Sequence, residues 1–347
     1  MMKERRQEMN SCERVLAALD RKPVDRVPFV ETTIGLKIGE ALLGRPAPTM
    51  TIPKLGLQMR NVEDEKALSR LLHRDNISVR ITPPIFSAVA HGATGEVFAE
   101  DGLIHTMDDF RRLFKLPDPD DEAIYEPLRS YVERKEGFAV VYSTRIAFLS
   151  AVMSIGFQTF MEAIYLNPEL IDAVMTAYSD WSARVLERVC EIGVDAVKST
   201  DDYAFHTGPF ISPAAFRKWV VPYHRTVARS IHVPWIAHSD GNILPIIEDL
   251  LGLGINGIHP IDPNCMDIRA FKKEFGQRVC VLGNVDVNTL ARGTPEATYE
   301  EVRGLMRDLA PGYGYIISSG NSVPDYALPE NMLAFARGVR DFGASSH

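Results

Sequence analysis

The chain has 347 residues, of which 46% are hydrophobic and 24% are charged, and its formal net charge is -8. This composition is typical of a globular protein, and the length fits one large α/β barrel. The acidic balance and the lack of long Lys/Arg runs exclude nucleic acid and anionic membranes as expected partners. The sequence contains no apolar run of transmembrane length, no secretory signal and no paired cysteine motif. We therefore expect a cytoplasmic protein with reduced thiols.

The predicted elements begin with a helix over residues 11–20, which belongs to an N-terminal helical extension of residues 1–26. Eight apolar, β-branched runs predict strands, and helical patterns separate them from the third run onward. These runs are residues 27–33, 77–82, 138–144, 194–200, 233–238, 256–261, 278–283 and 315–319. Between the second and third runs, residues 95–107 predict a hairpin insertion with Asp101-Gly102 as its turn.

Capping residues predict where the later helices begin. One helix is expected to start after Asn167 and to end near Gly193. Further helix starts are expected at Ser212-Pro213, Asn242, Thr294-Pro295 and Pro329-Glu330.

Alternation of strands and helices implies parallel βαβ units, and eight strands predict the α/β class with a single (β/α)8 TIM barrel. Residues 1–347 then form one barrel domain. An open doubly wound sheet is the structural alternative. We find no G-x-G-x-x-G motif after the first strand, which disfavours that alternative.

The active site of such a barrel lies at the carboxyl ends of its strands. Polar side chains at those predicted ends are therefore candidates for one shared site. They are Glu31, Thr144, Arg145, Asp201, Asp202, Tyr203, His238, Asp240, His259, Asn284, Asp286, Ser319 and Asn321.

His238 and Asp240 form the sharpest pair, since side chains two apart on a strand share a face. An imidazole and a carboxylate suit a divalent metal such as zinc. The alternative is that Asp240 orients His238 or caps the helix expected at Asn242. For His259 the options are a metal ligand, a general acid, or a buried ring bonded to the backbone.

The remaining candidates also leave alternatives open. One of Asp201 and Asp202 could cap the next segment while the other faces the site as a ligand or base. Asn284 and Asp286 either face the site or bond their own loop backbone. Arg145 could receive a substrate carboxylate or pair with an acidic neighbour.

Several stretches resemble the uroporphyrinogen decarboxylase superfamily, which includes cobamide (corrinoid)-dependent methyltransferases. The resemblance runs along nearly the whole chain and implies a (β/α)8 barrel with its pocket at the strand ends. The stretches are residues 13–19, 23–28, 212–223, 238–242, 283–286 and 329–331.

The decarboxylase branch of that superfamily carries an Arg-Gln-Ala-Gly-Arg type segment near the first strand, which holds carboxylates of the porphyrin precursor. Here residues 29–33 read Phe-Val-Glu-Thr-Thr, so both arginines are missing and Glu31 stands in the region. Porphyrin decarboxylation is therefore not expected.

The methyltransferase branch is more similar. Its thiol-methylating members bind zinc through His-x-Cys and a later Cys, and these positions match His238, Asp240 and Asn321 (or Ser319). Oxygen ligands in place of thiolates make a harder site that suits an oxygen leaving group. Ether-cleaving members carry a spaced Glu…Glu…His pattern. Asp202 and His238 match its outer positions, but Arg217 stands in the middle and cannot bind a metal.

The resemblance thus implies an O-demethylase component that moves a methyl group from a methoxylated small molecule, such as an aryl methyl ether, to Co(I) of a separate corrinoid protein. The expected cofactor is a divalent metal, zinc in the relatives, and self-association as a homodimer stays open. A decarboxylase-like lyase acting on a smaller acid and a non-catalytic corrinoid-binding protein are the alternatives. The expected roles are catalysis by Asp202 and His259, metal binding by His238, Asp240 and Asn321, and substrate binding by Glu31, Arg145, Tyr203, Asn284 and Asp286.

Overall fold

The computed structural model describes residues 8–52, 55–91 and 97–344. The strands, in chain order, are β1 (Thr49–Ile52), β2 (Leu57–Arg60), β3 (Asn76–Arg80), β4 (Ser87–His91), β5 (Val97–Gly102), β6 (Ala139–Thr144), β7 (Ala196–Thr200), β8 (Ala204–Phe205), β9 (Gly208–Pro209), β10 (Trp235–His238), β11 (Gly257–His259), β12 (Cys280–Leu282) and β13 (Tyr315–Ile316).

Helices surround these strands, and five of them begin at predicted starts, at residues 11, 168, 213, 295 and 329. In chain order they are α1 (Ser11–Leu19), α2 (Leu36–Leu43), α3 (Val62–Leu72), α4 (Met107–Leu113), α5 (Glu126–Glu133), α6 (Phe148–Ile155), α7 (Phe157–Leu166), α8 (Pro168–Ile192), α9 (Pro213–Trp219), α10 (Val221–Ala228), α11 (Ile247–Leu251), α12 (Ile268–Phe275), α13 (Val287–Arg292), α14 (Pro295–Leu309) and α15 (Pro329–Phe342). At Asn242 the side chain accepts from the Leu244 N–H and precedes a 3-10 turn, Leu244–Ile246, rather than an α-helix.

Seven strands form one parallel sheet in the order β13-β12-β11-β10-β7-β6-β3, as expected for consecutive βαβ units. The segment around Phe29 closes the gap between the two edge strands. Its Val30 N–H donates to the Ile317 carbonyl at 3.1 Å, and its Phe29 carbonyl accepts from the Asp75 N–H at 2.8 Å. The predicted TIM-barrel fold is confirmed. The first predicted strand is only an isolated bridge, because Pro28 has no N–H to donate to a ladder.

Alternation along the strands separates two apolar clusters. Ala139 and Val141 of β6 face the barrel interior, whereas Val140 and Tyr142 pack outward under the helices. Helix α1 lies across the amino ends of the strands and adds Leu19 to the interior cluster. Apolar side chains therefore pack the amino half of the barrel interior, and the predicted site residues lie toward the carboxyl-end opening, called the mouth below.

An ionic network joins α1 to the base of the barrel. The guanidinium of Arg14, which is almost fully buried, lies 2.6 Å from Asp25 and 2.6 Å from Asp75. Arg26 pairs with Asp75 as well, at 2.7 Å, and the Phe29 N–H donates to the same carboxylate. The predicted helical extension is thus an integral part of the barrel.

A hairpin follows the second predicted strand, but β4 and β5 form it from residues 87–91 and 97–102 rather than within residues 95–107. Its turn is not at Asp101-Gly102, since these residues end β5 and Gly102 packs against the backbone of Ile155. The chain reversal of this hairpin lies outside the described residues. Among the helices of the described ranges, none alone has the length and apolar character to cross a membrane; α6 and α7 meet that criterion only as a pair bent by 99°.

Candidate functional site

Two neighbouring strands of the barrel bring three side chains to one point of the mouth. Asp202 follows β7, and His238 ends β10. In the parallel pairing of these two strands, His238 lies opposite Thr200 of β7. The backbone then turns at Gly241, where φ is +81° and a Cβ would lie 2.4 Å from the Ala204 carbonyl oxygen. Only glycine fits this turn, which returns Asp240 toward the end of β7.

The side chains of Asp202, His238 and Asp240 form a compact cluster. One ligand atom from each lies within 4.8 Å of the other two. The Nε2 atom of His238 is 3.8 Å from Asp202 Oδ1 and 3.9 Å from Asp240 Oδ1, which is too long for hydrogen bonds. The space between these three atoms is therefore of the size that one cation bridges.

Hydrogen bonding orients the His238 ring. Its Nδ1 lies 2.6 Å from Nδ1 of His259, and the two rings are nearly parallel at 29°. A backbone interaction with Ser319 favours an N–H on the ring nitrogen of His259 that faces it. Burial, helped by the charge of Lys198, lowers the pKa of each histidine well below its usual range. Both rings are then neutral, so His238 donates through Nδ1 and leaves a lone pair on Nε2, toward the two carboxylates.

The two carboxylate oxygens of Asp240 have different surroundings. Its Oδ2 accepts from the Asn321 amide at 2.6 Å, while its Oδ1 is buried without a hydrogen-bond partner among the described residues. Burial, with the negative charges of Asp202 and Asp262, raises its pKa to about 7. Burial also raises the pKa of Asp202. Two neighbouring carboxylates and an imidazole lone pair fit a divalent metal. Such an ion would bind Oδ1 of Asp240 and offset the repulsion between the carboxylates of Asp202 and Asp240.

The amide of Asn321 orients Asp240 through its nitrogen, and its oxygen accepts from the Ser322 N–H. Asp202, assigned to catalysis in the sequence analysis, lies in the cluster itself. The structure thus assembles Asp202, His238 and Asp240, with Asn321 and His259 in contact behind them.

A cavity of about 630 Å³ opens beside this cluster. Four carboxylates line it, and no Lys or Arg stands among its described lining residues. The lining residues are Asp202, Ala204, Phe205, His206, Phe210, Asp240, Gly241, Asp262, Pro263, Asn264, Asp286, Val287, Asn288, Gly320, Asn321, Ser322, Pro324 and Tyr326.

The two consecutive aspartates after β7 have different positions. Asp201 is fully buried and accepts from the N–H groups of Ile146 and Leu149, at 2.7 and 2.8 Å, so it caps the segment that enters α6. Asp202 is the member of the pair that reaches the cavity. Near Asp201, the Arg145 guanidinium donates to the Ser150 hydroxyl and the Pro83 carbonyl.

Other predicted substrate-binding residues lie behind the cavity wall. Glu31 is buried and accepts from the Ser319 hydroxyl at 2.8 Å, and burial raises its pKa to about 7. The Tyr203 hydroxyl bonds His224 at 2.8 Å, and its ring packs against Phe216. Neither Glu31 nor Tyr203 reaches the cavity surface.

Of the two site residues predicted after β12, which is the seventh predicted strand, only one lines the cavity. Asn284 donates to the Ile261 carbonyl at 2.6 Å, whereas Asp286 lines the cavity and caps α13 by accepting from the Asn288 N–H. Arg217, which aligned with a family metal position, pairs with Asp249 on the surface at 2.9 Å.

Sequence reasoning missed three charged residues near the mouth. Lys198 is buried inside the barrel, where its ammonium donates to the Thr32 hydroxyl at 2.8 Å. Arg80 ends β3, and Asp262 lines the cavity and accepts from the Gly241 N–H. The sequence does contain a signal for Lys198 and Arg80. Each is a basic residue at a position that the alternation of its strand turns toward the barrel interior.

Comparisons with known proteins agree with this architecture. The family model described as uroporphyrinogen decarboxylase (URO-D) matches residues 95–342. A uroporphyrinogen decarboxylase of Shewanella halifaxensis is 23% identical over 363 aligned residues, covering 96% of this chain and 98% of the relative. One from Shewanella loihica is 22% identical over 271 residues, covering 73% of this chain and 74% of the relative.

Solved structures show the same fold at lower identity. A methyltransferase from Methanosarcina mazei superposes with a TM-score of 0.73 at 19% identity, covering 96% of this chain and 99% of that one. A B12-independent methionine synthase from a Shewanella species gives a TM-score of 0.52 at 9% identity, covering 91% of this chain and 97% of that one.

Proposed function

Since the chain belongs to the uroporphyrinogen decarboxylase family, we propose that it is a methyltransferase of that fold, which demethylates a methoxylated small molecule and passes the methyl group to a corrinoid protein. The observation that carries this proposal is the cluster of Asp202, His238 and Asp240, in which Oδ1 of Asp240 is buried without a hydrogen-bond partner among the described residues. Such a cluster fits leaving-group activation at an ether oxygen.

The residues that would hold a divalent ion are His238, through Nε2, and Asp202 and Asp240, through one carboxylate oxygen each. The bound ion would supply Lewis acidity toward the ether oxygen. Asn321 holds Asp240 through Oδ2, and His259 holds the His238 ring through Nδ1. These two contacts fix the ligand atoms before substrate binds, so little reorganisation is needed.

In the proposed reaction the C–O bond of the methyl ether breaks and its electron pair stays on the oxygen. The methyl group joins Co(I) of a corrinoid carried by a separate protein, and cobalt provides both electrons of the new bond. The released alkoxide or phenoxide then takes up one proton. This chain therefore needs no nucleophile of its own, and its task is to align the methyl group and stabilise the leaving oxygen.

The charge of the cavity argues against a porphyrin substrate. A porphyrin precursor carries many carboxylates, whereas four aspartates and no Lys or Arg line the described cavity wall. Like charges in a partly enclosed site repel strongly. A substrate that presents a neutral ether to this wall avoids that cost, and the aromatic side chains of Phe205 and Phe210 offer an apolar surface for an aryl ring.

The direct test combines purified protein, zinc, a methoxybenzoate and a corrinoid protein held as Co(I). We expect formation of the hydroxybenzoate and one methylated corrinoid for each ether cleaved, with no product when the corrinoid protein is omitted. Asp202→Asn and Asp240→Asn should lower the rate at least about a hundredfold. Release of carbon dioxide from an acid substrate by metal-free protein would instead establish a decarboxylase.

A further inference from the structure

Arg80 is a cation without a partner at the mouth. It ends β3, where Val79 and Ile81 pack outward, so its side chain leaves the strand on the interior face and is exposed to solvent at the mouth. Among the residues that the structure describes, it forms no hydrogen bond or ion pair. Its charge acts on Asp202, Lys198 and His238, so the guanidinium lies within electrostatic reach of the Asp202, His238 and Asp240 cluster.

The neighbouring strand offers a second unpartnered group. Ser143 of β6 pairs in register with Arg80 and follows the inward-facing Val141, so it shares the interior face. Its hydroxyl is buried and has no hydrogen-bond partner among the described residues, with the residue only 1% exposed. A buried hydroxyl without a partner is rare in a folded protein and commonly marks a site for a ligand or water.

Two further cations, Lys198 and Arg145, lie within electrostatic reach of Arg80. Burial lowers the pKa of Lys198 to about 8, and burial together with the charge of Arg80 lowers the pKa of Arg145 to about 10. Arg145 already donates to Ser150 and Pro83, and Asp201 is committed to backbone N–H groups. Of the two arginines, Arg80 is therefore the one whose donors are available.

We propose that Arg80 and Ser143 form an anion-binding subsite for a carboxylate of the substrate, opposite the Asp202, His238 and Asp240 cluster. A planar guanidinium binds a carboxylate through two parallel hydrogen bonds, and the Ser143 hydroxyl provides a third donor. The inference rests on the proposed function, because it narrows the substrate class to methoxylated carboxylic acids. One end of the substrate is then held by Arg80 and the methoxy end lies at the metal-binding cluster.

The test is a binding measurement that needs neither a corrinoid protein nor turnover. Calorimetry with the zinc-loaded protein compares 3-methoxybenzoate with 3-methoxybenzamide, which has the same shape and no charge. We expect the benzoate to bind at least about tenfold more tightly to the wild type. Arg80→Gln should abolish this preference, Ser143→Ala should reduce it, and Arg111→Gln on the exposed surface of α4 should leave it unchanged. Zinc content of each variant should equal that of the wild type.

A wild type that does not prefer the benzoate, or a preference that persists in Arg80→Gln, would overturn the subsite. The result is independent of the methyl-transfer assay. If the preference depends on Arg80 but no methyl reaches the corrinoid, the subsite stands and the proposed reaction fails.

Discussion

Nδ1 of His238 lies 2.6 Å from Nδ1 of His259, so the two buried rings share one hydrogen bond. The same contact fixes which nitrogen of His238 faces Asp202 and Asp240. His259, expected in the sequence analysis to act in catalysis, is therefore placed to position the proposed metal ligand His238. Outer partners of this kind are common around metal-binding histidines.

Replacing His259 should weaken metal binding without unfolding the protein. In His259→Phe the Nδ1–H of His238 loses its acceptor, the ring is free to adopt the other tautomer, and zinc affinity should fall about 10–100-fold. His259→Gln retains an acceptor oxygen and should recover part of the loss. Competition titration of zinc measures both variants, with His232→Ala as the surface control. Wild-type affinity in a folded His259→Phe protein would contradict this role.

The turn at Gly241 predicts a stability difference between two glycines. Gly241 and Gly254 both have positive φ, at +81° and +90°, but a Cβ clashes with backbone only at Gly241. Gly254→Ala should cost about 1 kcal/mol from backbone strain alone. Gly241→Ala should cost about 2–4 kcal/mol and also weaken zinc binding, because Asp240 must move. Urea unfolding compares the two variants, and equal losses would show that the turn does not constrain the site.

The contact between Arg14 and Asp25 predicts a pH dependence of stability. Burial alone would raise the pKa of Asp25, but the hydrogen bond and charge of Arg14 lower it below its usual value. The folded state then favours the ionised form, so this stabilisation is complete above about pH 4 and is lost as the pH falls through the lowered pKa.

Asp25→Asn should therefore destabilise the protein by about 1–2 kcal/mol at pH 7, with allowance for partial solvent screening. The difference from wild type should shrink below about pH 4. Urea unfolding at several pH values measures it, and Asp20→Asn, which changes an exposed pair with Lys22, serves as control. A difference that is constant with pH would rule out the ionic contact as its source.

The sequence predicted the barrel well because its strands are short β-branched runs separated by capped helices. Helix α8 begins at Pro168 and ends before Gly193, as the capping pattern indicates. The hairpin turn was misplaced because Asp-Gly is a strong turn signal, and here Gly102 serves instead for close packing against Ile155. Local sequence does not reveal such a long-range contact.

The site was harder to predict than the fold. The search for polar residues at the carboxyl ends of predicted strands identified Asp202, His238 and Asp240. Because consecutive residues point in different directions, only the three-dimensional chain path shows which of Asp201 and Asp202 faces the cavity. Tyr203 has the chemistry of a substrate contact, yet its hydroxyl is taken by His224. Arg80 was missed because its lack of a partner is a property of the folded structure.

The most direct test of the account is the metal content of the purified protein, measured by elemental analysis after dialysis against zinc. We predict one zinc ion per wild-type chain and per Asp172→Asn control, and loss of that zinc in His238→Ala and Asp240→Asn while circular dichroism stays unchanged. Stoichiometric zinc in both cluster variants, or none in the wild type, would contradict the claim that these side chains form a metal centre.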